Sequence, residues 1–161
     1  MRRRFPWLPF FILAALLVFS SCDSSVADTS CEALGLPAMG SFTAAFDGRA
    51  FAANCFEVGV ASTGELIVIG IEADGALADQ FKVTIAGQEE GIYEAGTSDD
   101  ITGAEFIPSG DEVPFDFSEG AVILALFSED RVRGSFELVA DDGLTETTGQ
   151  FDIQFDRLVR P

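Results

Sequence analysis

The chain has 161 residues and carries 27 acidic against nine basic side chains, so its formal net charge is −18. This excess argues against nucleic-acid binding, because phosphates would be repelled by the surface. The chain contains no His, which removes the usual base of Ser nucleophiles and the commonest metal ligand. We therefore predict a non-catalytic protein, not an enzyme, with no metal site and no cofactor.

Residues 1–21 have the composition of an export signal. A basic start at residues 2–4 precedes an apolar run of 15 residues, Phe5–Phe19, and the small residues Ser20 and Ser21 follow it. A helix that spans a membrane needs about 20 apolar residues, so this run is too short. The pattern is typical of a secretory signal peptide.

Cys22 follows this signal directly, and the segment resembles the signal of a bacterial lipoprotein. The resemblance implies cleavage before Cys22 and acylation of its thiol and new amino group. Because two acyl chains hold a protein durably on a bilayer, we expect a lipid anchor in the cell envelope, at an inner or an outer membrane face. Cleavage without acylation stays an alternative. The mature chain keeps six basic and 27 acidic residues, hence a net charge of −21.

Residues 22–40 are typical of a tether, because they are rich in Ser, Ala, Gly and Asp and lack a regular apolar period. A short helix over residues 31–36 stays open. Cys31 lies in this segment, and the only other thiol of the mature domain is Cys55. An exported chain meets an oxidising compartment, which favours a disulfide between Cys31 and Cys55. Two buried free thiols are the alternative.

From residue 41 onward, short alternating segments separated by turn residues predict strand after strand. Phe42, Ala44 and Phe46 fall on one face, and Asp47-Gly48 predicts a hairpin turn. Similar half-buried strands follow over residues 56–60 and 81–85. Residues 66–71 are apolar on both faces, which is typical of a central strand that is covered on both sides.

The second half of the domain continues this pattern. Residues 92–95 predict a short strand, and the irregular stretch 98–117 predicts one edge strand near residues 104–107. Residues 121–127 predict a second strand that is apolar on both faces. The last two strands, over residues 132–138 and 151–155, carry Arg and Asp at outward positions, and we expect cross-strand ion pairs to help fix their register.

These elements together predict one all-β domain over residues 41–161. The expected architecture is an antiparallel sandwich or small barrel of about 8–10 short strands.

Four segments support a family resemblance: TAAFDGRAFAA (43–53), GIYEAG (91–96), RVRGSFELVA (131–140) and TTGQFDIQF (147–155). In this order they resemble the small lipoprotein domains of unknown function of Bacteroidetes-type bacteria, over residues 41–158. Phe51 stands where that family often has Trp, Ile92 where it has Thr, and Thr148 where it has Asn. The resemblance implies a lipid-anchored all-β domain and transfers no catalytic residue.

Two functions remain. The first is a non-catalytic envelope domain that acts as a protein-interaction or structural module, with the membrane contacted through the N-terminal lipid and a protein partner still to be identified. The second is a carrier that holds a small apolar ligand in a β-barrel cavity. A solid core with an exposed apolar strip favours the first, and an empty apolar cavity favours the second. Two carboxylates can suffice for sugar hydrolysis; Glu57 and Glu94 interrupt apolar strands, and we expect both to face outward.

Overall fold

The computed structural model describes residues 31, 36, 39–74, 77–96, 101–110 and 113–156. The predicted export signal and Cys22 lie outside the described residues. Within the described part of the chain, no helix is long and apolar enough to cross a membrane.

The fold is all-β, as the alternating pattern predicts. Every pairing is antiparallel, and one sheet with the strand order β2-β1-β10-β9-β8-β7-β5-β4-β3 curls into a half-barrel, with β6 attached to β8. The strands are β1 (Gly40–Phe46), β2 (Arg49–Ala52), β3 (Cys55–Val60), β4 (Leu66–Asp74), β5 (Leu77–Ile85), β6 (Gly91–Ala95), β7 (Gly103–Ile107), β8 (Phe115–Phe127), β9 (Arg131–Ala140) and β10 (Glu146–Gln154).

The hairpin between β1 and β2 has the predicted turn. Asp47 and Gly48 both have positive φ, 44° and 71°, as a two-residue turn of type I′ requires. The turn brings Phe46 opposite Arg49 and Ala44 opposite Phe51, which directs Phe46 and Phe51 into the same buried interior.

The two edges of the sheet meet at residues 53–54, between β2 and β3. The amide of Ala53 donates to the carbonyl of Phe42 on β1, whereas the amide of Asn54 donates to the carbonyl of Ile71 on β4. The side chain of Asn54 also accepts from the amide of Ala73 and donates to its carbonyl, both at 2.9 Å. The chain therefore passes from one edge of the sheet to the other at this corner, with Ala53 bonded to β1 and Asn54 bonded to β4.

Phenylalanine fills the inside of the curl. Phe81 lies at its centre, with six ring centroids between 5.4 and 6.1 Å from its own. The sheet can curl tightly around these rings because two inward positions, 134 and 149, are occupied by glycine, which leaves room for a neighbouring ring. The ring of Phe151 covers Gly134, and that of Phe136 covers Gly149, an arrangement known to stabilise glycine in sheets.

Strand β7 corrects one expectation. The strand near residues 104–107 exists, but it is an interior strand and not an edge strand, because it pairs with β5 on one side and with β8 on the other. The long β8 makes this possible. Two register shifts along β8 let it bend, so that its first part pairs with β7 and its later part with β6.

Strand β8 also differs from the prediction on its outward side. Residues 121–127 were expected to be covered on both faces, yet Ile123 is 45% exposed and Ala125 is exposed as well. No second layer packs on this side within the described residues. The domain is thus one curled sheet with a filled inside and an open outside.

Candidate functional site

The inside of the half-barrel is occupied by its own side chains. Phe42, Phe81 and Phe136 lie within one continuous buried cluster, and the ring centroids of Phe46 and Phe106 approach to 4.7 Å. Rings at these separations are in contact. The interior is therefore core, and the surface available to a partner is the outside of the sheet.

The outward side of β2, β1, β10, β9, β8 and β6 forms a continuous surface, here called the outer face. Because neighbouring strands are in register, its side chains lie in rows across the strands. The isoleucine row contains Ala52, Thr43, Gln150, Ser135, Ile123 and Ile92. The glutamate row beside it contains Ala50, Ala45, Thr148, Glu137, Ala121 and Glu94.

A shallow groove of about 450 Å³ runs over the part of these two rows that lies on β1, β10, β9 and β8. Small side chains, Ala45 and Ala121, line it in the glutamate row, and the larger Ile123 lines it in the isoleucine row. Ile123 and Ile92 lie directly opposite each other on β8 and β6, and Ile92 is 70% exposed. This pair of aliphatic side chains, rimmed by polar ones, has the composition of a contact surface.

One end of the outer face is acidic. Glu137 and Glu94 flank Ala121 in the glutamate row, and Glu146 and Glu119 lie in the next row, on either side of Val139. None of the four carboxylates has a hydrogen bond or an ion pair to another residue within the described ranges. Their negative charge is therefore directed to whatever approaches this end.

The opposite end carries the predicted cross-strand ion pair. Arg131 Nε and Nη2 donate to the two carboxylate oxygens of Asp152, each at 2.7 Å. This bidentate hydrogen bond lowers the pKa of Asp152, against the opposing effect of burial, and raises that of Arg131. Arg133, directly opposite Asp152, lowers the pKa of Asp152 further. The predicted pairing of Arg with Asp on the last two strands is confirmed.

The chain enters the sheet at this same end. The carbonyl of Met39 accepts from the amide of Gln154, and Gln154 lies opposite Arg131. Residue 40 thus begins β1 at the Arg131 end, and the four glutamates lie at the far end. Cys31 and Cys55 form a disulfide, with 5.3 Å between their Cα atoms, which ties the tether to the first residue of β3.

The remaining candidate residues do not gather into a second site. Glu57 is half-buried on β3 and Glu94 is exposed on β6, and these two strands are not neighbours in the sheet. Within the described ranges, no group of three or more Cys, Asp or Glu residues could hold a metal ion. Lys82 pairs with Glu105 across β5 and β7, outside the two rows.

Sequence reasoning did not find the outer-face groove. The apolar run at residues 121–127 could have indicated it, because a strand that is apolar on both faces exposes apolar side chains on one face when it lies in a single-layered sheet. The run alone could not show that, in the part of the chain that the structure describes, no second layer covers β8. The exposed Ile92, placed where the resembling family has Thr, was the other signal.

Residues 38–155 match the family model described as Domain of unknown function (DUF6252). The match covers most of the chain, including all ten strands, and the chain therefore belongs to this family. Neither the curated proteins nor the solved structures contained a match to it.

Proposed function

We propose that this member of the DUF6252 family is a lipid-anchored domain of the bacterial cell envelope that performs no catalysis and binds a protein partner through its outer face. The observation that carries the proposal is the contrast between the two sides of the sheet. The inner side is packed with phenylalanine rings, and the outer side presents Ile92, Ile123 and a groove.

The same contrast disfavours the carrier. A carrier needs an enclosed, apolar-lined space of several hundred Å³, and here rings with centroids about 5–6 Å apart occupy the centre of the curl. A ligand could enter only by displacing buried phenylalanines such as Phe81. An interaction surface needs no such rearrangement, because the groove is already open to solvent.

The anchor is supported by the sequence around Cys22. A lipid on Cys22 would hold the domain through residues 22–31, because the disulfide fixes Cys31 to Cys55 at the start of β3. Strand β3 is not one of the six strands of the outer face. The groove would then stay open to proteins in the surrounding compartment.

Metabolic labelling tests the anchor. The wild-type chain, expressed in a bacterium, is expected to incorporate radioactive palmitate and to partition into the detergent phase. Cys22→Ala should do neither, whereas the Cys31→Ser/Cys55→Ser variant, which retains Cys22, should still be labelled. Equal labelling of the wild type and Cys22→Ala would rule out the anchor.

An activity screen tests the non-catalytic role. The purified chain is assayed with glycoside, ester and peptide substrates, and we expect no turnover. Turnover that is abolished by Glu57→Gln or Glu94→Gln would make the chain an enzyme. Turnover that both variants retain would be assigned to a contaminant.

A further inference from the structure

We infer that the outer-face groove binds an extended, basic segment of a partner protein, in which an aliphatic side chain is flanked by Lys or Arg. This inference rests on the proposed function, because it names the chemistry of the partner. It is carried by the juxtaposition of two exposed isoleucines, two small residues and four carboxylates without partners among the described residues.

The apolar part of the partner is defined by Ala121 and Ile123. Ala121 lies between two strands that carry Glu137 and Glu94, and its small side chain leaves room above the sheet. Ile123 lines this space, and Ile92 lies directly opposite Ile123 on the neighbouring strand β6. An aliphatic side chain placed over Ala121 would cover both isoleucines and remove apolar surface from water, at about 25 cal/mol for each Å² buried.

The charged part of the partner is defined by Glu137 and Glu94. They lie two strands apart in one row, so their Cα atoms are about 10 Å apart at the usual strand spacing. An extended segment that crosses the strands along this row places every second side chain on the sheet. The basic side chains on either side of its aliphatic residue would reach the carboxylates of Glu137 and Glu94. Glu119 and Glu146, in the next row, add negative charge near them.

The middle of the groove suits a peptide backbone. Thr43, Thr148, Ser135 and Gln150 line it, and their hydroxyl and amide groups can both donate and accept hydrogen bonds. An extended segment carries unpaired backbone amides and carbonyls that need such partners when they are covered. A globular surface has few free backbone groups and would form fewer hydrogen bonds with these side chains.

Charge argues against two other occupants. A second copy would bring a domain of mature net charge −21 against one of the same charge, and like charges oppose association. Of the arginines that the structure describes, Arg131 and Arg133 lie on the outer face and are no free counter-charge, because Arg131 already binds Asp152 and Arg133 lies opposite the same residue. An anionic membrane surface would be repelled by the four glutamates for the same reason.

A nuclear magnetic resonance titration of the isotope-labelled, processed chain in a neutral detergent tests the inference. The probe is the peptide Gly-Lys-Ser-Leu-Ser-Lys-Gly, which places Lys, Leu and Lys on one side when extended. Two comparison peptides carry Glu in place of both Lys, or Ser in place of Leu. We expect the first peptide to shift the amide signals of Ala121, Ile123 and Glu137, and both comparison peptides to bind more weakly.

Matched variants separate a site from general charge attraction. Glu94→Gln/Glu137→Gln and Glu57→Gln/Glu129→Gln each remove two negative charges, but only the first pair lies in the glutamate row, where Glu137 lines the groove and Glu94 lies two strands away. The first is expected to weaken binding about three- to tenfold, the range for losing two exposed ion pairs, and the second less than about twofold. Likewise, Ile92→Ser should weaken binding and Val113→Ser, which alters another exposed aliphatic residue, should not.

Three outcomes would overturn the inference: equal weakening by the two double variants, equal binding of the acidic peptide, or self-association of the chain that Ile92→Ser abolishes. The last would make a second copy the occupant. Each of these leaves the proposed function standing, since palmitate labelling and protein binding elsewhere on the outer face require neither this groove nor a basic segment.

Discussion

Phe136 and Gly149 lie directly opposite each other on β9 and β10, and the Phe136 ring occupies the space where a side chain at position 149 would stand. The same relation links Phe151 to Gly134, two residues further along the two strands. These two pairs let the last two strands carry large rings inward while the sheet remains tightly curled.

The first prediction follows from this relation. Gly149→Ala would place its Cβ against both the Phe136 ring and the carbonyl oxygen of Thr43, and we expect it to lower the free energy of unfolding by about 1–3 kcal/mol. Gly91→Ala is the control, because nothing lies within 4 Å of a Cβ there. Urea unfolding measures both, and equal stability of the two variants would contradict the packing described.

The second prediction concerns Thr147, which points inward from β10. It is 1% exposed, and its hydroxyl has no hydrogen-bond partner within the described residues. Thr147→Val replaces that hydroxyl with a methyl group of similar size, so it should raise the free energy of unfolding by about 1–2 kcal/mol.

Thr148→Val provides the comparison for Thr147, since Thr148 is the exposed neighbour on the outer face. Its effect should stay within about 0.5 kcal/mol. Loss of stability in Thr147→Val would mean that the hydroxyl is hydrogen-bonded in solution.

The third prediction concerns the disulfide. Alkylation of the denatured chain without reductant should add no group to Cys31 or Cys55, and two added groups in the intact mass would show free thiols. The two cysteines are 24 residues apart. Cys31→Ser/Cys55→Ser is expected to lower the free energy of unfolding by about 3 kcal/mol in the chain-entropy model.

The fourth prediction is a pH dependence that originates at Asp152. Arg131 holds the pKa of Asp152 below its ordinary value of 3.8. The unfolded chain therefore binds this proton more readily than the folded one. The resulting stability is present above the unfolded pKa and is lost as the pH falls through the folded pKa.

Between about pH 5 and pH 2, the wild type should thus lose more stability than Asp152→Asn, which cannot titrate at this position. Arg131→Met should show the same reduced acid dependence, because it removes the cause of the pKa shift. Identical acid profiles of all three proteins, measured by urea unfolding, would show that the ion pair does not form in solution.

The fifth prediction follows from the mature net charge of −21. Salt screens repulsion between carboxylates beyond a Debye length of about 10 Å at 0.1 M, so NaCl should raise the melting temperature and KCl should act alike. A rise that only millimolar calcium produces would instead indicate a specific cation site.

Much of the fold could be predicted because it depends on local alternation. Phe42, Ala44 and Phe46 are buried with the predicted period of two, as are Phe151 and Ile153. The turn at Asp47-Gly48 is equally local, since its dipeptide favours positive φ. In such segments, the alternation of apolar and polar residues is enough to predict which side chains are buried.

The position of β7 could not be predicted in the same way. Whether residues 103–107 lie at an edge depends on where β5 and β8 run, and the pairs with β5 join residues 19 to 27 positions apart. The exposure of Ile123 has a similar origin. An apolar run shows that a strand can be covered on both faces, but the number of layers that actually cover it is a property of the whole fold.

Site-specific photo-cross-linking in living bacteria tests the central claim, that the domain works by presenting its outer face to a protein. A photoreactive amino acid is placed at position 92, beside the groove residue Ile123, or at position 113, which is also exposed but lies outside the two rows. We expect an adduct of defined mass from position 92 that Glu94→Gln/Glu137→Gln reduces, and little from position 113. Adducts of equal yield from both positions, unaffected by the double variant, would contradict it.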